Sequence, residues 1–152
     1  MGKLNQFLVV FFNLAHAKHF AGVAVVAVLN NGDVDIDNIA IPVLLNSPVL
    51  TDEDLVDVLR SKASAKIIAI AKRARVSGTI VREIVRYGDS RAVAEVAAND
   101  GAVIDERLAG DMLEIYHDDD LIKEAFIARR DLPIRVMEKL ITMVSEEAAL
   151  LM

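Results

Sequence analysis

The sequence predicts an all-α fold. Three observations carry that prediction: apolar residues recur at helical spacing along most of the chain, helix breakers are few, and no stretch alternates apolar and polar residues long enough for a strand. Only three prolines and seven glycines interrupt 152 residues. Ile80, Val81, Ile84 and Val85 share one helical face. So do Leu108, Met112 and Ile115, then Leu121, Ile122, Ala125 and Phe126, and finally Met137, Leu140, Ile141 and Val144.

The first element lies within residues 7–29, which are mostly apolar. A membrane-spanning helix needs about 20 nearly unbroken apolar residues. Asn13, His16, Lys18 and His19 break this run, so the expectation is a buried first helix that caps a helical stack, with no membrane association. Lys3, Leu8-Val9-Val10-Phe11-Phe12 and Ala15-His16-Ala17 have the layout of a signal peptide, but the apolar part is short and Asn13 divides it. A cytoplasmic location is expected. Farther along, Pro42 falls inside an apolar run, where a helix must either start or kink.

The next elements are marked by their starts. Thr51 precedes Asp52-Glu53-Asp54, a capping residue followed by acids that the helix dipole favours. Ser77 precedes Gly78-Thr79-Ile80, Asp105 precedes Glu106-Arg107-Leu108, and Pro133 precedes Ile134-Arg135-Val136. These starts lie 26, 28 and 28 residues apart, and Leu50, Val76, Ile104 and Leu132 stand one position before them. Behind each start a shorter helix ends near a polar residue: Asn46, Arg73, Asn99 and Arg130. One period earlier, another start falls near Gly22, with residues 23–29 as its helix.

A single two-helix unit of this size cannot bury its apolar face, so neighbours stack and share a core. The expected architecture is a short α-solenoid of about four to five two-helix repeats. Residues 1–152 form a single domain, with capping helices over 1–35, a repeat core over 36–144 and a helix end over 145–152.

Composition excludes several function classes. Cysteine is absent, which removes disulfides, thiolate catalysis and cysteine-ligated metals. Aromatic residues make up 5% with no Trp, too few for stacking single-stranded bases. The net charge of −6 is unevenly spread: residues 60–91 hold nine basic and two acidic side chains, a balance of +7. Within this segment Lys62, Lys66 and Arg73 are expected along one solvated stripe, and Arg82 and Arg86 form an i, i+4 pair. Arg73, like Asn46 and Asn99, has a second use, which is to bond helix C-terminal carbonyls.

Candidate chemistry is sparse. His117-Asp118-Asp119-Asp120 has metal-ligand residue types, but consecutive residues point in different directions and no calcium-loop spacing follows. It reads instead as a loop whose Asp120 caps a helix beginning at Leu121. His16 and His19 at i, i+3 lack a third ligand. No nucleophile elbow, phosphate-binding loop, dinucleotide fingerprint or paired catalytic carboxylate motif occurs. The expectation is a protein with no enzymatic activity, no cofactor and no metal.

Residues 39–55, Ile-Ala-Ile-Pro-Val-Leu-Leu-Asn-Ser-Pro-Val-Leu-Thr-Asp-Glu-Asp-Leu, resemble the signature of a bacterial family, domain of unknown function 2336. So do Ala69-Ile70-Ala71-Lys72-Arg73 with Val76-Ser77, and Arg130-Asp131-Leu132-Pro133. The resemblance covers roughly 36–144 and implies a HEAT-like helical-repeat domain, with no established activity. Family members usually carry further sequence on one or both sides, and a short stack has open ends. Phe7-Leu8-Val9-Val10-Phe11-Phe12 and Leu150-Leu151-Met152 are apolar stretches near those ends. The expected function is therefore a scaffold or adaptor that binds another protein and associates with itself as a homo-oligomer. The alternative is a nucleic-acid or nucleotide-binding module using Lys62, Lys66, Lys72, Arg73, Arg75, Arg82 and Arg86.

Overall fold

Several helix starts in this chain are set by short polar side chains that satisfy backbone donors, with N-caps at Thr51, Ser77 and Asp105, while Pro133 stands at the N-cap of the last helix without a side-chain bond. The computed structural model describes residues 34–152, with side chains from residue 40 onward. The readings of residues 7–29, of the His16 and His19 pair and of the extrapolated helix 23–29 lie outside the described residues. Eight helices follow in order: α1 (Val34–Asn46), α2 (Asp52–Arg60), α3 (Ser64–Ala71), α4 (Gly78–Tyr87), α5 (Ser90–Ala98), α6 (Glu106–Ile115), α7 (Asp120–Ala128) and α8 (Ile134–Leu150). Among the described residues there is no strand, and one isolated parallel bridge joins Val76 and Ala102. The chain is all-α.

The strongest cap is at α2. Thr51 accepts from the Asp54 amide, and the Asp54 carboxylate accepts in return from the Thr51 amide at 2.9 Å. Ser77, Asp89 and Asp105 cap α4, α5 and α6 in the simpler one-way manner. One expectation needs correction, and a second is narrowed. Asp119 caps α7, and Asp120 already sits in the first helical turn, where the dipole favours its charge. Of the two readings of Pro42, a start or a kink, the start is excluded: the helix begins at Val34 and runs through the proline to Asn46.

Alternate helices pack side by side. α1, α3, α5 and α7 form one row by successive contacts, while α2 packs on α4 and α6 on α8. The core lies between, with Leu44, Leu59, Ile70, Ile84, Met112 and Phe126 among its fully buried side chains. The backbone turns that link the rows also touch: Val76 donates to the Gly101 carbonyl at 3.1 Å and accepts from Val103 at 2.8 Å. Gly101 has to be glycine for this approach, because a Cβ there would stand 2.0 Å from the Ala74 carbonyl oxygen.

Several residues expected on buried stripes are exposed. Ile115 is the last residue of the short α6, whose buried face is Leu108, Ala109, Met112 and Leu113. On α7, Leu121 is exposed while Ile122, Ala125 and Phe126 are buried. The largest departure is α8, where Val136 and Leu140 are buried but Met137, Ile141 and Val144 face outward. Two apolar stripes interleave on that helix, and the periodicity had merged them.

Candidate functional site

The basic segment is dispersed by the fold. Lys62 occupies the turn between α2 and α3 in a left-handed conformation, with φ of 57°. Lys66 on α3 is buried, so the expected solvated stripe of Lys62, Lys66 and Arg73 does not form. Lys72 at the C-cap of α3 lies 3.5 Å from Glu95, and Arg82 on α4 lies 3.5 Å from Asp105. Arg86 extends from α4 with its guanidinium 5.3 Å from the Tyr87 ring centre, and Arg75 is exposed in the turn before α4. Part of the +7 balance is therefore answered by the protein's own carboxylates, through exposed pairs that contribute little stability.

Arg73 instead joins a ladder of side chains that bond helix ends. Its guanidinium donates to the Leu44 carbonyl and, at 2.7 Å, to that of Ser47, at the end of α1. Desolvation pulls its pKa down and the charge of Asp52 opposes that shift, yet a guanidinium stays charged in proteins. One unit on, Asn99 Nδ2 donates to the carbonyls of Ala71 and Arg73, both at 2.8 Å, at the end of α3. One unit further, Arg129 donates to Asn99 at 2.7 Å, Ala102 at 2.6 Å and Ala97 at 3.3 Å, at the end of α5. These carbonyls would otherwise lack intrahelical partners.

The sequence placed the end of this helix near Arg130, but α7 ends at Ala128, and it is Arg129 that bonds the end of α5. Arg130 projects outward with a loose 3.6 Å contact to Asp100. Asn46 bonds the Pro42 carbonyl of its own helix at 3.1 Å.

Sequence reasoning also missed Lys123, whose side chain is 3% exposed on α7. Glu147 of α8 and Asp120, the latter at 2.9 Å, hold its ammonium above the usual lysine range, with the Glu147 hydrogen bond the larger cause. This pair ties α8 to α7. Among the described residues His117 pairs with Asp118 and meets the Glu114 carbonyl, and no three His, Asp or Glu side chains are arranged to hold a metal.

A feature that the described contacts leave unexplained lies between α7 and α8. Ile127, Leu132, Met137, Leu140, Ile141 and Val144 line a groove of about 440 Å³ between α7 and α8, with Arg129 and Arg130 at one end. Ile127 and Ile141 are each about 60% exposed. Among the described residues no side chain donates to the Ile127 or Ala128 carbonyls, so the ladder of Arg73, Asn99 and Arg129 has no further rung here. A groove of this kind suits an apolar helix face; it offers no constellation for chemistry. No described helix is long and apolar enough to cross a membrane.

A family model described as "Uncharacterised protein conserved in bacteria (DUF2336)" matches residues 39–151. No curated protein and no solved structure matches the chain.

Proposed function

The chain belongs to the DUF2336 family of uncharacterised proteins conserved in bacteria, and we propose that it is a non-enzymatic scaffold of HEAT-like two-helix repeats that binds another protein in the cytoplasm. The side-by-side packing of alternate helices supports a stacked-repeat organisation. So does the reach of Arg73, Asn99 and Arg129 across 26 to 30 residues onto helix ends.

The observation that carries the binding role is the apolar groove between α7 and α8. Exposed apolar surface concentrated at one place marks an interaction site more often than it marks idle surface. A helix laid into the groove would cover Ile127, Met137 and Ile141 as the next member of the row.

The test is photo-crosslinking in bacterial cells from a reactive amino acid at Met137, compared with one at exposed Arg107 on α6. A discrete crosslinked species from Met137 and none from Arg107 is the expected result. Equal, diffuse labelling from both positions would end this reading.

A further inference from the structure

The groove identifies what it binds more closely than a general apolar surface would. α8 is the longest described helix, at 17 residues, and it carries two apolar stripes. Val136, Leu140 and the half-buried Met143 serve the interior. Ile134, Met137, Ile141, Val144, Ala148 and Leu151 run along the outside and are all exposed, Ile134 at 74%. Their spacings alternate three and four residues without a break. That is the seam of paired helices, in which each apolar residue inserts between four from the facing helix. An ordinary exposed face has no reason to keep the alternation over six positions.

We propose that α8 pairs antiparallel with α8 of a second copy of this chain, through that outer stripe. This deepens the reading of the groove as an interaction surface and rests on it. Three features favour this occupant. First, a seam with one repeated spacing is complementary to itself under a two-fold axis, so a second copy supplies the facing surface without a separate partner sequence.

Second, the helix is polar in charge. Arg130 and Arg135 stand exposed at its entry, each in only a loose 3.6 Å contact, with Asp100 and Glu106 respectively, whereas Glu146 stands exposed near its exit, beside the Glu147 that Lys123 holds. Glu146 has no ion pair among the described residues. Antiparallel pairing brings the acidic exit of one copy toward the basic entry of the other; parallel pairing would set like charges together.

Third, the seam is long enough. Eighteen residues from 134 to 151 span about 26 Å. With Ile127 and Leu132 beside it, pairing would remove on the order of 1,000 Å² from water over both copies, at the lower bound of specific interfaces. Such a dimer forms at moderate concentration and dissociates on dilution.

The full chain should therefore change from monomer to dimer mass in light scattering after size exclusion, from low micromolar to several hundred micromolar. Replacing Ile141→Glu together with Val144→Glu should leave a monomer throughout that range. Because both side chains are exposed, the variant should keep the wild-type circular dichroism and, in dilute solution where both are monomers, the wild-type melting temperature, which separates lost pairing from lost folding.

Orientation is read by oxidation, since the native chain has no cysteine. A mixture of Ile134→Cys protein and Leu151→Cys protein should cross-link to a dimer far more than either alone. A wild-type monomer at all concentrations would overturn the proposal, as would a dimer untouched by the two glutamates, or equal cross-linking of each single variant alone. A monomer that still gives the Met137 crosslink to another protein would overturn only the self-pairing and leave the groove as a binding surface.

Discussion

Helices α4 and α8 use similar apolar side chains to different ends. α4 has ten residues and one apolar stripe: Ile80, Val81 and Ile84 are buried, while Arg82 and Arg86 stay in solvent. α8 buries only Val136 and Leu140 and leaves a longer apolar stripe outside. The same contrast holds for backbone carbonyls. The ends of α1, α3 and α5 each receive a side chain from the next unit, whereas Ile127 and Ala128 at the end of α7 receive none from the described residues. In the interior the chain satisfies itself. Around α7 and α8 it carries apolar surface and acceptors that the described residues do not use.

The contrast breaks most visibly under a buried charge. Ile84→Asp places a carboxylate at a fully buried site. It should destabilise the protein by several kcal/mol, about 4 or more, either unfolding it at ambient temperature or removing its cooperative transition. Ile141→Asp makes the same chemical change on the outer stripe of α8 and should shift stability by less than about 0.5 kcal/mol in dilute monomer. Parallel thermal melts of the two variants, followed by circular dichroism at low concentration, measure the difference. Equal losses would mean that the outer stripe of α8 is as much a part of the core as α4.

A smaller effect sharpens the carbonyl half of the comparison. Arg129→Met keeps most of the side-chain volume but removes the bonds to the Ala97 and Asn99 carbonyls at the end of α5 and to that of Ala102 in the turn beyond, leaving Asn99 only its bond from the Ala102 amide. Loss of these charge-assisted bonds should cost about 1–3 kcal/mol, as solvent replaces part of what is removed. Its neighbour Arg130→Met should be nearly neutral, because that side chain projects into solvent. Chemical denaturation midpoints at unchanged slope would rank the two. If Arg130 proved the costlier, the ladder would be an ornament of geometry and not a determinant of stability.

Much of this was legible in the sequence, for identifiable reasons. Helix starts depend on one or two local side chains, so Thr51, Ser77, Asp105 and Pro133 could be read directly. Which face of a helix is buried depends on neighbours, and periodicity alone is ambiguous where two stripes interleave. Met137, Leu140, Ile141 and Val144 were therefore read as one face, although a three-four alternation from Ile134 to Leu151 was present to separate them. The choice between Arg129 and Arg130 turned on where α7 stops, a boundary uncertain by a residue in any sequence reading. The dispersal of the basic segment was not legible at all, because Glu95 and Asp105 meet Lys72 and Arg82 only through the fold.

The smallest expected effect concerns how the interior units are joined. Asp89 caps α5 and also accepts from the Ser64 hydroxyl at the start of α3, at 2.7 Å. The Ser64 bond is the main cause that lowers its pKa from the ordinary value of 3.8, with the Ala92 amide next. A carboxyl that is more acidic folded than unfolded stabilises the fold above its unfolded pKa. That stability is lost as pH falls through the lower folded value. Asp89→Asn retains a capping oxygen for the Ala92 amide but does not titrate. The variant should melt slightly below wild type at neutral pH, and the gap should close as pH is lowered below about 4. Because Asp89 is exposed, the gap is expected to be small, and it should shrink further in high salt. A gap that stays constant with pH would show that the Ser64 bond carries no charge assistance and joins α3 to α5 only as a neutral hydrogen bond would, beside packing and the Asn99 bonds to the end of α3.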